Sequence, residues 1–507
     1  MRRFLRLAVV MMISGLLVAC SPGQASGAGN RAYATPLPSQ GEPMIETIVP
    51  DTPVPTEELT ELPVITDESH TTEPTATTEA TKTPEPSPVS FEVMVSQGLV
   101  ERWAGRQAIV VQADSEDSPE ASVWLYERDG DGWKVAAGPW PAVVGKNGVS
   151  KQREGDGRAP SGAFLLGSAF GWAVKPSGVT YQYRKLDSRD RWVDDVSSPF
   201  YNKWVRGATS KCGSGEDLKK IAQYEHALVV HYNDIAEAGL GSAIFLHVWL
   251  EPGKPTHGCT AMSELHMEEL LRWLDYSARP VLVQGTEQQI TKLMSEEWGI
   301  ACLPNGWGYV DDFIPDAQLE IRYNTENNFT GKPLAGYQSP QAVMRLEAIE
   351  ALSLAAADWK GDSLGLRVYD AYRPQQATDA MIAWAEDLSD AATKEEYYPE
   401  LDKVDIPGQY VARKSNHRLG GTVDLTLINW TTGTNIDMGG PFDFFGDLSA
   451  YRYKGLTAAQ SSNRTQLRQT MMKFGFSPYD KEWWHFTYPV DETGGDIAIL
   501  PRERIVQ

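Results

Sequence analysis

Two segments near the C-terminal end, SNHRLGGTVD at 415–424 and EWWH at 482–485, constrain the fold of this chain more than any other part of it. His417, Asp424 and His485 carry the side chains of metal ligands, and Glu482 carries that of an acid-base group. They can act together only if the fold brings two distant segments to one point. His417 and Asp424 lie seven apart, with Gly420 and Gly421 between them to let the chain turn from a loop carrying His417 into a strand bearing Asp424. Glu482 and His485 lie three apart, a spacing that an ideal strand sends to opposite faces, so the chain there must bulge or end.

At 507 residues the chain exceeds one ordinary domain and has room for two or three cores. A formal charge of −22 excludes nucleic acid as an expected partner. The four cysteines are widely spaced and form no CxxC pair, so neither a disulfide framework nor a zinc ribbon is expected, and a metal must be held by His and carboxylate. Arg2, Arg3 and Arg6 precede the apolar run LAVVMMISGLLVA, which is too short for a membrane span, so residues 1–20 read as a signal peptide. Its end, Leu17-Val18-Ala19-Cys20-Ser21, resembles a bacterial lipobox. That resemblance implies cleavage before Cys20, lipidation of its thiol, and a lipid anchor on the extracytoplasmic face of the bacterial cell membrane. Residues 21–90 are rich in Pro, Thr, Ser and Glu and read as a disordered tether, because such a composition buries too little apolar surface to offset backbone entropy.

The expected fold class is α+β. Residues 91–290 read as a β-rich domain, with QAIVVQA as a strand, SVWLYERDGDGWKVAAGPW as a hairpin, and HALVVHYN and SAIFLHVW as further strands. SELHMEELLRWLD reads as a helix capped by Ser263. The Gly-rich stretch GKNGVSKQREGDGRAPSGAFLLG lacks the GxxxxGK[ST] pattern and is no phosphate loop. A polar, helical-looking connector near Thr286–Trp298 leads to residues 301–507. There a mixed or antiparallel sheet with helices is expected: IRYNTENNF as strand and loop, PQAVMRLEAIEALSLAAADWK as a helix, LGLRVYDAYRP as a strand, QQATDAMIAWAEDL as a helix, TVDLTLINW as a strand, NRTQLRQTMMKF as a helix and WHFTY as a strand.

GKNG, GDGRAPSGAFLLG, FLHVW and THGCTAMS together resemble the L,D-transpeptidase catalytic domain. The resemblance implies Cys259 as nucleophile, His247 as its base and Gly258 in the tight turn that presents the thiol. The reaction implied is attack on a peptidoglycan stem peptide, release of a terminal D-alanine and acyl transfer, for which a thiolate beside an imidazolium is a strong nucleophile. Thr260-Ala261-Met262-Ser263 depart from the family pattern, which follows HGC with an apolar residue and then Arg or Asn, and the His247 to Cys259 spacing is shorter than usual. Cys212 and Cys302 are expected to form no obligatory disulfide.

RYNTENNFTGKPLAGY, VYDAYRP, SNHRLGGTVDLTL, DMGGPFDFF and EWWHF resemble, in order, the D-Ala-D-Ala dipeptidases of the VanX type within the zinc D,D-peptidases. The resemblance implies one Zn2+ on His417, Asp424 and His485, Glu482 as general base and then acid, and Arg373 on the oxyanion. It also assigns Asp443 to the substrate ammonium and Ser415 to the pocket wall. Imidazole and carboxylate suit zinc, and three protein ligands leave a fourth position open. The expected function is therefore zinc-dependent hydrolysis of D-alanyl-D-alanine in the cell envelope, joined to a Cys-dependent domain acting on stem peptides. The alternatives are a zinc D,D-carboxypeptidase that trims stem pentapeptides and a wall-binding lipoprotein with relict sites.

Overall fold

The computed structural model describes residues 90–207, 214–295 and 303–491, with Ile497, Ile499 and Arg502. The expected signal peptide, Cys20, nearly all of the expected tether, Cys212 and Cys302 lie outside the described residues. Among the described residues no helix is long and apolar enough to cross a membrane.

The hairpin read from sequence forms between Glu120–Asp129 and Gly132–Val143 and belongs to a nine-stranded sheet. Strand Val281–Thr286 pairs in parallel with Gln107–Ala113 and antiparallel with Gly162–Gly171, so the sheet closes on itself. Strands Phe245–Val248 and Thr260–Met262 lie side by side in parallel, with His247 opposite Ala261. Helix Glu264–Trp273 starts where Ser263 Oγ accepts a hydrogen bond from His266 N at 3.2 Å, and buries Met267, Leu270 and Leu271. The helical-looking connector forms the helix Glu287–Ser295. Its Ile290, Leu293 and Met294 pack with Val95 and Leu99 of helix Phe91–Arg102 into one apolar cluster.

The second sheet runs Gln318–Leu319, Leu364–Asp370, Thr422–Asn429, His485–Thr487, Ser477–Pro478. Its first pair is parallel and the others antiparallel, so it is mixed. Helices Leu346–Trp359, Gln375–Glu386 and Ala458–Lys473 bury Leu352, Met381 and Leu467 in one core with Val368, Val423 and Leu425 of the sheet. Three expectations need correction. The helix expected from 340 begins only at Leu346, because Val343–Arg345 pairs antiparallel with Trp307–Tyr309. IRYNTENNF contributes no strand: Arg322–Asn324 is a single 3₁₀ turn, and the Asn328 amide holds the loop by donating to Thr325 O at 2.6 Å and Lys332 O at 2.9 Å. The last long helix starts at Ala458, earlier than read, because Thr457 and Gln460 form a capping box.

The two sheets form one compact unit, joined through buried charge. Asp312 accepts from His231 Nε2 at 2.8 Å, from Arg502 at 2.8 Å and from Tyr276 Oη at 2.6 Å, while Asp316 accepts from Arg184 at 2.8 Å. Arg502 also pairs with Asp311 and, at 3.2 Å, with Asp234. Removing either sheet would leave these charges buried without partners or newly solvated, so the halves are not independent.

His231 sits between Asp234 and Asp312 with Arg502 beside it. Burial opposes its charge, but the two carboxylates outweigh burial and raise its pKa to about 9. A folded pKa above the unfolded value gives stability that is complete below pH ~6.5 and is lost as the pH rises through about 9. Urea unfolding of the whole chain should therefore show a loss of stability between neutral pH and about 9, and His231→Gln should remove that loss, which totals at most about 3 kcal/mol. Equal slopes would exclude a charged His231 from the interface.

Candidate metal centre and thiol site

The metal-ligand cluster is built by strand register. Asp370 pairs with Asp424 across one strand boundary, and Asp424 pairs with His485 across the next, which lines the three residues in a row at the strand ends. His417 arrives from outside the sheet on the 3₁₀ turn Asn416–Leu419. Gly420 then takes a φ of +80°, and a Cβ there would lie 2.2 Å from Trp307, so only glycine makes this turn into the strand at Thr422. Glu482 lies in the turn just before strand His485–Thr487, its N–H bonded to Tyr479 O, so the chain ends its strand there rather than bulging.

His485 Nδ1 lies 3.0 Å from Asp424 Oδ1, and His417 Nε2 lies 3.4 Å from Asp424 Oδ2. One ligand atom from each residue falls within 4.8 Å of the other two. His417 donates Nδ1–H to Ala371 O at 2.7 Å, which fixes the tautomer and leaves Nε2 as a lone-pair donor. His417 Nε2 and Asp424 Oδ1 are buried, and although each lies within 3.4 Å of an oppositely polar atom of the cluster, neither makes a well-aligned hydrogen bond. A cation fits these unsatisfied atoms, and two imidazoles with one carboxylate suit zinc. Burial works against the charge on Asp424, but the imidazoles of His417 and His485 outweigh it and hold the carboxylate ionised.

Around this cluster stand groups that can move protons and bind charge. Glu482 Oε2 lies 3.6 Å from His485 Nδ1, and burial lifts its pKa to about 7. Arg373 donates Nε–H to Asp370 at 2.8 Å, reaches within 3.5 Å of Asp424, and lies over the Tyr323 ring at 4.9 Å. Asp443, between Phe442 and Phe444, is 5 % exposed at a φ of +61° and accepts from Tyr323 Oη at 3.0 Å. Burial, with Asp424 nearby, pushes its carboxyl well above the usual range, the mark of an acid short of a cation. Ser415 caps the turn by accepting from His417 N at 3.3 Å, so its hydroxyl orients a ligand segment.

Asp370 escaped the sequence reading. It is fully buried, accepts from Tyr337 Oη at 2.6 Å and from Arg373, and lies 3.4 Å from His417 Nδ1. An acid at the inner end of a strand, three residues before Arg373, was the available signal.

In the first sheet, His247 lies in strand Phe245–Val248, and Cys259 lies in the bend just before the neighbouring parallel strand Thr260–Met262, with Ala261, two residues after Cys259, opposite His247. Tyr224 joins the two: its ring lies 5.5 Å from that of His247, and its hydroxyl donates to Glu216 at 2.8 Å. The Cys259 thiol donates to Ala243 O at 3.3 Å, and His247 donates Nδ1–H to Val248 O at 2.8 Å. Among the described residues no hydrogen bond joins the thiol to the imidazole. Burial and Glu216 raise the thiol pKa to about 12, and burial lowers that of His247 to about 4, so both are neutral at rest. Burial therefore favours a neutral thiol and imidazole over a thiolate-imidazolium pair while no substrate is bound. Lys151, unremarked in the sequence, has a side chain only 2 % exposed and an ammonium that bonds Asp156 at 3.1 Å and Arg153 O at 3.2 Å.

The second sheet and its His/Asp/His cluster define a metallopeptidase. Residues 305–498 match the D-Ala-D-Ala dipeptidase family, and residues 108–283 match the L,D-transpeptidase catalytic domain. A D-alanyl-D-alanine dipeptidase of Enterococcus faecalis is 37 % identical over 185 residues, 36 % of this chain and 92 % of the relative. One from Streptomyces coelicolor is 36 % identical over 36 % of this chain and 90 % of its own length, and one from Escherichia coli is 34 % identical over 35 % and 81 %. The chain belongs to the D-Ala-D-Ala dipeptidase family and carries an L,D-transpeptidase domain ahead of it.

Elemental analysis of the purified whole chain should find one zinc per chain, with less than a tenth of that in His417→Ala. Asp370→Ala should keep the fold, by circular dichroism, yet weaken metal affinity about 10- to 100-fold by freeing His417 and Arg373. Unchanged affinity would deny Asp370 that supporting part.

Proposed function

We propose that the C-terminal domain hydrolyses free D-alanyl-D-alanine at a zinc ion held by His417, Asp424 and His485. The observation that carries this reading is the convergence of those three ligands with Glu482, Arg373 and Asp443 in one buried cluster. Zinc, when bound, supplies Lewis-acid polarisation of a carbonyl and a more acidic water. Glu482, with its pKa near neutrality, takes the proton of the attacking water and returns it to the leaving amine. Arg373, held rigid by Asp370, presents N–H donors to the oxygen on which negative charge develops. Asp443 receives the substrate ammonium, which favours a dipeptide with a free amine over a long stem peptide. The Cys259 domain acts on peptidoglycan stem peptides, with His247 Nε2 accepting the thiol proton only as the substrate carbonyl arrives. We place the chain on the extracytoplasmic face of the bacterial membrane, anchored by a lipid on Cys20 and lifted by residues 21–90. That placement favours D-alanine scavenging or wall remodelling.

The test uses the whole zinc-loaded chain, because the domains share a buried ionic contact. Offered D-Ala-D-Ala and a stem pentapeptide in parallel, it should release D-alanine from the dipeptide. Glu482→Ala should lose about 10²- to 10⁴-fold in kcat, and Arg373→Ala about 10²- to 10³-fold. Asp443→Ala should raise KM by about 30-fold, equivalent to roughly 2 kcal/mol, with zinc content unchanged. Cleavage of the pentapeptide alone would move the enzyme to the carboxypeptidases, and silence on both with metal bound would point to relict sites. In cells, Cys20→Ser should shift the mature protein from the membrane to the soluble fraction.

A further inference from the structure

A free dipeptide recognised by its ammonium arises either by joining two amino acids or by cutting a longer chain. Asp443 is buried beside the metal cluster, and among the described residues its hydrogen-bond donor is the Tyr323 hydroxyl, so it suits a full positive charge better than an amide. Within a longer peptide the same nitrogen is an amide, and it becomes that charge only when the peptide bond in front of it is broken. The first sheet of the same chain belongs to a domain class that breaks an L,D bond by acyl transfer. In that chemistry the leaving group is whatever follows the L-centre. It is a single D-residue at the end of a tetrapeptide, but a D,D-dipeptide at the end of a pentapeptide.

We propose that the Cys259 domain feeds the metal site: it cleaves an L,D bond that precedes a terminal D,D-dipeptide, and the dipeptide it releases is the substrate of the second domain. This rests on the reading of the second domain as a dipeptidase. Cys259 Sγ gives its proton to His247 Nε2, which is left free because Nδ1 is bonded to Val248 O. Sulfur then bonds to the carbonyl carbon of the L-residue, the C–N bond breaks, and the dipeptide nitrogen leaves with the proton from His247. Water or an acceptor amine next attacks the thioester, takes the acyl group and returns a proton to the thiol.

The surroundings of the thiol fit a peptide that ends in a carboxylate. Gly258 takes a φ of +151°, and a Cβ there would lie 3.0 Å from Arg158 O and 3.6 Å from Lys151 Nζ, so the turn before Cys259 runs close past a buried ammonium. Asp156 and Arg153 O occupy two of that ammonium's three donors. A fixed cation at the turn suits the free C-terminus of the leaving peptide. The buried pairs Asp312 with His231 and Asp316 with Arg184 fix the two sites at one to one in a single body, so each dipeptide is released beside an enzyme unit that can cut it.

The experiment offers the whole zinc-loaded chain a stem pentapeptide ending in D-Ala-D-Ala, the corresponding tetrapeptide and free D-Ala-D-Ala, with products followed by mass spectrometry. Wild-type protein should yield two D-alanines per pentapeptide. Glu482→Gln should instead accumulate intact D-Ala-D-Ala, at least tenfold above the double variants Glu482→Gln with Cys259→Ala and Glu482→Gln with Cys259→Ser. Absence of dipeptide from Glu482→Gln, equal dipeptide from the double variants, or Cys259-dependent release from the tetrapeptide alone would each overturn the proposal. If wild-type protein still cuts free dipeptide in those cases, the dipeptidase reading stands and only the supply step falls. If free dipeptide is not cut, both fall.

Discussion

One carboxylate, that of Asp424, organises the second domain. It faces two imidazoles and, at 3.5 Å, a guanidinium, and its charge survives burial because the imidazoles of His417 and His485 outweigh the cost of burial. The strand register that sets Asp370, Asp424 and His485 in one row makes this possible. A slip of one residue in either pairing would turn a ligand to the opposite face. Around that row the polar groups support one another: Asp370 takes the Arg373 and Tyr337 hydrogen bonds, Ala371 O sets the His417 tautomer, and Tyr323 supports both Arg373 and Asp443. The site is therefore preorganised by strands and buried donors rather than by exposed loops.

Buried charge also unites the two domains. Asp311, Asp312 and Asp316 lie in or just after the short helix Val310–Phe313 and meet His231, Arg502 and Arg184. Such pairs add little net stability compared with apolar packing, but breaking one leaves its partner uncompensated. The contact is better understood as a device that specifies one arrangement of the domains.

Much of the metal site was legible in the sequence because its chemistry requires rare residue types at fixed spacing. The Gly-Gly step between His417 and Asp424 foretold a turn, and the spacing of Glu482 and His485 foretold that a strand must bulge or end. Asp370 was not legible, since one acid in VYDAYRP says nothing of burial until the neighbouring strand is in register. The same limit applies to Val343–Arg345, whose helical continuation was overridden by a long-range pairing with Trp307–Tyr309. The helix Glu287–Ser295 was legible as a helical connector, but its packing was not, because its apolar face is only Ile290, Leu293 and Met294. In the first domain the motif located Cys259 and His247, yet their neutral resting state depends on burial by Phe170, Tyr224 and Phe245, residues far apart in the chain.

The most direct test of the account is a zinc titration of the metal-stripped whole chain while hydrolysis of D-Ala-D-Ala is followed. Activity should rise linearly and break at one equivalent per chain, and Asp424→Asn should show neither the rise nor the break. Full activity in the stripped protein, or an unchanged titration in Asp424→Asn, would contradict the assignment of the reaction to this cluster.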